Sequence, residues 1–160
     1  MCWFKTAIGR KLKATMVRDT MDSLIVRSEL SELDRVAEWV HDWTRQHGVP
    51  EWTAGLVDLC STEAVTNIMM HACSGHADHR ILLRLDSQPD SLALEIQDDG
   101  APFDPRQVDP PKPPTSLEDT KSSGWGIQIF RHFSDELRYR RVDGRNHLTL
   151  IFQVRPPLQP

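Results

Sequence analysis

Residues 59–71 read LCSTEAVTNIMMH, with Glu63 and Asn67 four apart. At 3.6 residues per turn, that spacing stacks a carboxylate and a carboxamide on one helix face. The carboxylate can take a proton or orient a hydroxyl, and the amide oxygen is a hard ligand suited to Mg²⁺. Val57, Cys60, Ala64 and Ile68 form an apolar stripe, with Leu56, Leu59, Val65 and Met69 beside it. Glu63 and Asn67 lie about 100° round from Ala64 and Ile68, at the border of the buried face, where a cleft can open. The helix is expected from Glu51 to about Ala72 and stops in the turn Ser74-Gly75-His76. Alone, such a pair is ordinary helix surface, so its meaning depends on what surrounds it.

Upstream, residues 23–28 (SLIVRS) are β-branched and apolar and predict a strand. A helix opens across residues 29–34, with Ser31 followed three residues on by Asp34 as a capping signal. Leu33, Val36, Ala37, Val40 and Trp43 continue it at helical spacing to Gly48, a left-handed terminator, and Pro50. Downstream, residues 79–86 and 91–97 predict two strands joined by a turn at Gln88-Pro89-Asp90, and the second runs into Asp98-Asp99-Gly100. Residues 102–114 then hold six of the eleven prolines, which forbids helix or central strand and marks a long loop. A helix follows Gly124-Trp125-Gly126, carrying Ile127, Ile129, Phe130 and Phe133. Residues 136–142 and 147–154 predict a closing hairpin across Asp143-Gly144. This order predicts an α+β fold: a two-layer α/β sandwich with a mixed, mostly antiparallel sheet and helices on one face.

The chain of 160 residues suits one domain; it is 39% hydrophobic and 26% charged with a net charge of −4. That charge argues against general nucleic-acid binding. Residues 1–20 nevertheless carry a net +4, leaving −8 for the remainder. Residues 1–21 are therefore set apart as a basic extension that is flexible or docks a partner, residues 22–155 as the domain, and residues 156–160 as a tail. No apolar run reaches the ~18 residues of a membrane span. The odd count of three cysteines without a CxxC fits a reducing cytoplasm, with Cys60 and Cys73 as small buried groups.

Three patches carry chemistry. The first is Glu63 to Asn67 with His71-Ala72. The second is Asp98-Asp99-Gly100-Ala101-Pro102-Phe103-Asp104-Pro105, a carboxylate at a strand exit. The third is Gly124-Trp125-Gly126-Ile127, a glycine turn at a helix N-terminus, where exposed N–H groups favour phosphate.

These patches resemble the GHKL ATPase superfamily, and more closely the small anti-sigma serine-protein kinases of the RsbW and SpoIIAB type. EAVTN with its trailing HA is similar to the N box and DDGAPFDP to the G1 box. SSGWGIQIFRHFSDELRYRR is similar to the G2 box with the helix and strand after it. The resemblance covers residues 23–154 and implies a Bergerat-type ATP-binding fold. It implies Glu63 as general base, Asn67 as the Mg²⁺ ligand, and Asp98 as acceptor for the adenine amino group. Gly100 would let the backbone approach the base. Gly124, Trp125, Gly126 and Ile127 would hold the phosphates, and residues 101–123 would close as a lid. Pro102 departs from the usual second G1 glycine, and only Lys112 and Lys121 offer lid cations.

The implied cofactors are ATP and Mg²⁺. The implied activity is phosphorylation of serine or threonine on a STAS-type anti-sigma antagonist, with sequestration of a sigma factor. A PP2C-type phosphatase in the pathway and a homodimer are further implications, the dimer using the helix around 33–43 or a sheet edge. Trp39, Trp43 and Trp52 suit either core or interface. The absence of GxxxxGK[ST] excludes a P-loop mechanism.

Three other readings compete. His41-Asp42 is faintly like a histidine-kinase acceptor, but only 22 residues separate His41 from Glu63, too few for a dimerisation hairpin. His71, Cys73, His76 and His79 lack metal-site spacing and read as a polar turn; His71 alone reads as buried packing at least as readily as a site residue. The third reading is a non-catalytic nucleotide-binding module that holds a partner protein, and Glu63 counts against it.

Overall fold

Alternation of apolar side chains builds the sheet. Leu24 and Val26, Ile81, Leu83 and Leu85, Leu92, Leu94 and Ile96, and Leu148, Leu150 and Phe152 all point inward from their strands and are buried. The computed structural model describes residues 22–74, 77–110 and 125–154. Gly124, Lys112, Lys121, His76, the basic extension and the tail lie outside the described residues.

The strands are β1 (Asp22–Arg27), β2 (Arg80–Ser87), β3 (Ser91–Asp98), β4 (Glu136–Val142) and β5 (Arg145–Gln153). They form one five-stranded sheet in the order β1-β2-β3-β5-β4. Every pairing is antiparallel, so the expected mixed character reduces to a wholly antiparallel sheet. The hairpin between β4 and β5 turns at Asp143 and Gly144, both with positive φ (50° and 76°). That pair is the signature of a type I′ turn, whose twist matches the strands it joins.

Among the described residues three α-helices, α1 (Leu33–Gln46), α2 (Glu51–Asn67) and α3 (Trp125–Phe133), complete the core. α1 buries Val36, Val40 and Trp43 and ends at Gly48 with φ +65°, as its sequence predicts. Its start differs from expectation. A 3₁₀ turn, Leu30–Glu32, leads in through a backbone bond from Leu33 N–H to Leu30 carbonyl, and no side chain caps it. The three tryptophans divide: Trp43 is 2% exposed, Trp39 packs at the core margin and Trp52 is 64% exposed. Cys60 and Cys73 are buried free thiols, and burial pushes the Cys60 thiol up to about 12, which keeps it protonated and unreactive.

α2 does not run on as α-helix to Ala72. After Asn67 it widens into a π turn, Ile68–Ala72, closed by a bond from Cys73 N–H to Ile68 carbonyl. The wider winding turns each residue through less than 100°. Continued α winding would put His71 on the buried stripe; the π turn carries it to the surface, beside the Phe103 ring at 6.3 Å. His71 is therefore not a packing residue.

Candidate active site

The site lies where the end of α2, the exit of β3 and the start of α3 converge. Within α2, the Asn67 Nδ2 donates to the Glu63 carbonyl at 2.7 Å. A carbonyl can only accept, so the amide nitrogen must face it and Oδ1 is left for a hard cation. Glu63 and Asn67 are both half-buried. α3 presses on this pair at Gly126, where an added Cβ would sit 2.5 Å from Glu63 Oε2 and 2.7 Å from Asn67 Nδ2. Only glycine allows the N-terminus of α3 to approach the carboxylate and the carboxamide this closely.

β3 delivers a second group. Asp98 is the last of the inward-pointing line Leu92, Leu94 and Ile96, and it is 4% exposed. Its Oδ1 accepts from Gly100 N–H at 2.9 Å and from Asn146 Nδ2 at 2.8 Å. Oδ2 has no hydrogen-bond partner among the described residues. Burial pushes the Asp98 carboxyl above the ordinary aspartate range, against the opposing hydrogen bonds from Asn146 and Gly100. Gly100 continues straight into contact with α2: a Cβ there would lie 2.5 Å from the Ala72 carbonyl oxygen. Ala101 N–H donates to the same oxygen at 2.9 Å, so the π turn is the joint between the two patches.

A small cavity of about 20 Å³ is lined by Asn67, Ala72, Asp98, Phe103, Pro105 and Asn146 among others. That volume holds about one water. The start of the proline loop lies across it, with Pro105 buried. The Asp104 carboxylate accepts from Arg106, and Arg131 of α3 donates to the Val108 carbonyl at 2.8 Å.

The structure thus gathers Asn67 and Asp98 around one cavity, with Gly100 beside Asp98 and with Glu63 and Gly126 against Asn67. Ile127 gives its side chain to the core, leaving only its backbone for a ligand. Trp125 is 50% exposed and stands outside the cavity lining.

The sequence reading missed Asn146, Tyr139 and Arg141. Asn146 lies opposite Asp98 in register. Its Nδ2 also bonds the Ala101 carbonyl, and its Oδ1 accepts from Tyr139 Oη and Arg141 Nη1 at 2.8 and 2.7 Å. The signal was present: Asn146 is the one polar member of the inward line Asn146, Leu148, Leu150 and Phe152. Removing it in Asn146→Ala strips a donor from a buried carboxylate and should cost about 1–3 kcal/mol, measurable as a lower urea midpoint at unchanged slope.

The model of the histidine kinase-like ATPase domain matches residues 26–152, nearly the whole described fold. The chain belongs to this family. It is 39% identical over 108 residues to the serine/threonine-protein kinase BtrW of Bordetella bronchiseptica, a match covering 66% of this chain and 76% of that protein. In three dimensions it is similar to the crystal structure of the RsbU and RsbW domains of Rv1364c from Mycobacterium tuberculosis. The TM-score is 0.59 at 14% identity, over 85% of this chain. The chain spans 32% of that structure, and at this identity the likeness speaks for the fold. Among the described residues no helix is long and apolar enough to cross a membrane.

Proposed function

We propose that the protein is an ATP-dependent serine/threonine-protein kinase that acts as a switchable anti-sigma factor. On this reading it phosphorylates a STAS-type antagonist in the cytoplasm and, in the alternative state, sequesters a sigma factor. The observation that carries the catalytic part is Gly126, which sets a helix N-terminus against Glu63 and Asn67. A carboxylate, a hard oxygen ligand and a helix start whose N–H groups favour phosphate are then in one place, which is what phosphoryl transfer needs. The kinase name and 39% identity of the relative support the same reading.

When bound, ATP would supply the terminal phosphoryl group and Mg²⁺ would spread the charge that develops on it. Asn67 Oδ1 would hold the metal, Asp98 Oδ2 would accept the adenine amino group, and Gly100 would leave room for the base. The backbone N–H groups of Gly124, Trp125, Gly126 and Ile127 would face the phosphates. Glu63 takes the proton of the acceptor hydroxyl. The hydroxyl oxygen bonds to the γ-phosphorus as the bond from that phosphorus to the bridging oxygen breaks, and ADP leaves.

The test is transfer of label from γ-labelled ATP with Mg²⁺ to purified STAS-domain proteins encoded in the source genome. Label on serine or threonine is the expected result. Nucleotide binding without any transfer would identify a binding module instead. A pull-down from the source cell with and without ATP would test the sigma-factor half.

The raised Asp98 carboxyl gives a pH signature. Its ionised form accepts the adenine amine, so nucleotide affinity should fall on acidification from a pH above the ordinary aspartate range. A hydrogen bond to a charged group is worth about 1.5–3 kcal/mol, so the loss should reach about 10- to 100-fold. Stability moves the other way for this group. The folded state holds the proton more tightly than the unfolded chain, so acidification through the raised value favours folding. Calorimetric titration of ATP across pH, with Asp98→Asn as the flat control, checks the first; thermal unfolding checks the second.

A further inference from the structure

We infer that the solvent face of α2 is the docking surface for the hydroxyl-bearing protein substrate. This rests on the kinase reading and adds where the acceptor protein sits. At 100° per residue, Trp52, Leu59 and Glu63 fall within about 40° of one another on α2. Leu59 lies one turn, about 6 Å, before Glu63, and Trp52 about 16 Å before it. Both are exposed, Trp52 at 64% and Leu59 at 38%. They form an apolar track that ends on the carboxylate.

Gly55 sharpens the track into a notch. It lies between Trp52 and Leu59 on the same side of the helix, and a Cβ built there meets nothing within 4 Å. An apolar side chain of the partner can enter over Gly55, beside the track and against a recess walled by His41, Thr44 and Arg45 of α1. Beyond Glu63 the track meets the start of α3, where Gly126 packs on the carboxylate and its chain neighbour Trp125 is half exposed. Large aromatic side chains flanking a recess are typical of the residues that dominate protein interfaces.

The occupant is fixed by continuity with the chemistry. A surface one helical turn from the proton acceptor is covered by whatever presents the hydroxyl. Glu51 and Asp58 lie about 80–140° round α2 from Leu59 and Glu63, in a groove shared with His41 and Arg45 of α1, so the track itself is apolar up to Glu63. The partner it fits is a folded protein that places a serine or threonine beside apolar side chains.

The test uses the full chain and STAS-domain acceptors. Trp52→Ser with Leu59→Ser changes only exposed positions. It should raise the acceptor KM at least about 30-fold, as loss of a central interface anchor does. kcat and the ATP Kd should be unchanged, and sedimentation of the free protein should be as in the wild type. Gly55→Leu, filling the notch, should raise KM in the same way. If the wild type labels no acceptor, the kinase reading fails and the docking surface with it. If the wild type labels its acceptor, Glu63→Gln does not, and the KM values of the surface variants stay at the wild-type value, the docking surface alone is wrong. A variant that converts a dimer to a monomer would assign the face to a second copy of this chain and overturn the proposal.

Discussion

Glu63→Gln should lower phosphoryl transfer about 10²- to 10⁴-fold, the range for loss of a positioned general base. The substitution keeps the shape and removes the proton-accepting charge. Glu63 is half-buried on α2 and packs against Gly126, a place glutamine can fill without disturbing the helix. Nucleotide affinity should therefore stay within about twofold of the wild type, because the lost interaction is made only as the hydroxyl reacts. Single-turnover transfer of label and calorimetric titration of ATP measure the two quantities. A variant that transfers label at the wild-type rate would remove Glu63 from the chemistry. One that loses nucleotide and stability together would make it a structural residue.

Gly126→Ala should separate activity from stability in the opposite sense. Its φ is in the ordinary range, since the positive-φ glycines among the described residues are Gly48 and Gly144. Gly126 is the second residue of α3, where alanine gains less than the ~1 kcal/mol it holds over glycine in a helix interior, so the variant should unfold within a few degrees of the wild type. The new methyl group would nevertheless stand 2.5 Å from Glu63 Oε2 and 2.7 Å from Asn67 Nδ2. The Glu63 carboxylate can swing aside, and Asn67 Nδ2 can move by giving up its hydrogen bond to the Glu63 carbonyl. Such a shift would misplace the proposed base and metal ligand by about an ångström, an error that costs about 100-fold in rate. Gly100→Ala is the contrast. Its methyl group meets the Ala72 backbone carbonyl at 2.5–2.6 Å, which cannot swing aside. The cost falls on the fold, about 1–3 kcal/mol or more. Thermal unfolding and label transfer on the two variants should give opposite pairs of results.

Much of this arrangement is legible in the sequence because the relevant signals are local. Partial alternation and the Gln88-Pro89-Asp90 turn place β2 and β3 to within a residue, and Asp143-Gly144 fixes the hairpin turn. Glu63 and Asn67 share a face for reasons of helical geometry alone. What stayed hidden depends on contacts far along the chain or on a change of helix type. Asn146 meets Asp98 across 48 positions, and only the line of inward residues on β5 hints at a polar group there. Nothing in Ile68-Met69-Met70-His71-Ala72 distinguishes π from α winding. That change comes together with the union of Ala72 with Gly100 and Ala101, and it moves His71 to the surface. The closeness of Gly126 to Glu63 likewise belongs to the packing of α3 on α2. Two glycines flanking a tryptophan do not announce it.

The strand order has a consequence for the making of the protein. Among the described strands β5 comes last in the sequence, yet it sits inside the sheet, between β3 and β4. Until it pairs, β3 presents an open edge of unpaired backbone groups, the kind of edge that recruits other chains. Asp98 meanwhile lacks the Asn146 donor that holds its Oδ1. Long-range pairings of this kind form slowly, because loop-closure entropy must be met before the contacts reward it. A chain truncated before residue 146 should therefore be both adhesive and blind to nucleotide. On the proposed reading the site becomes competent only when β5 has paired, so that ligand binding would report a completed sheet.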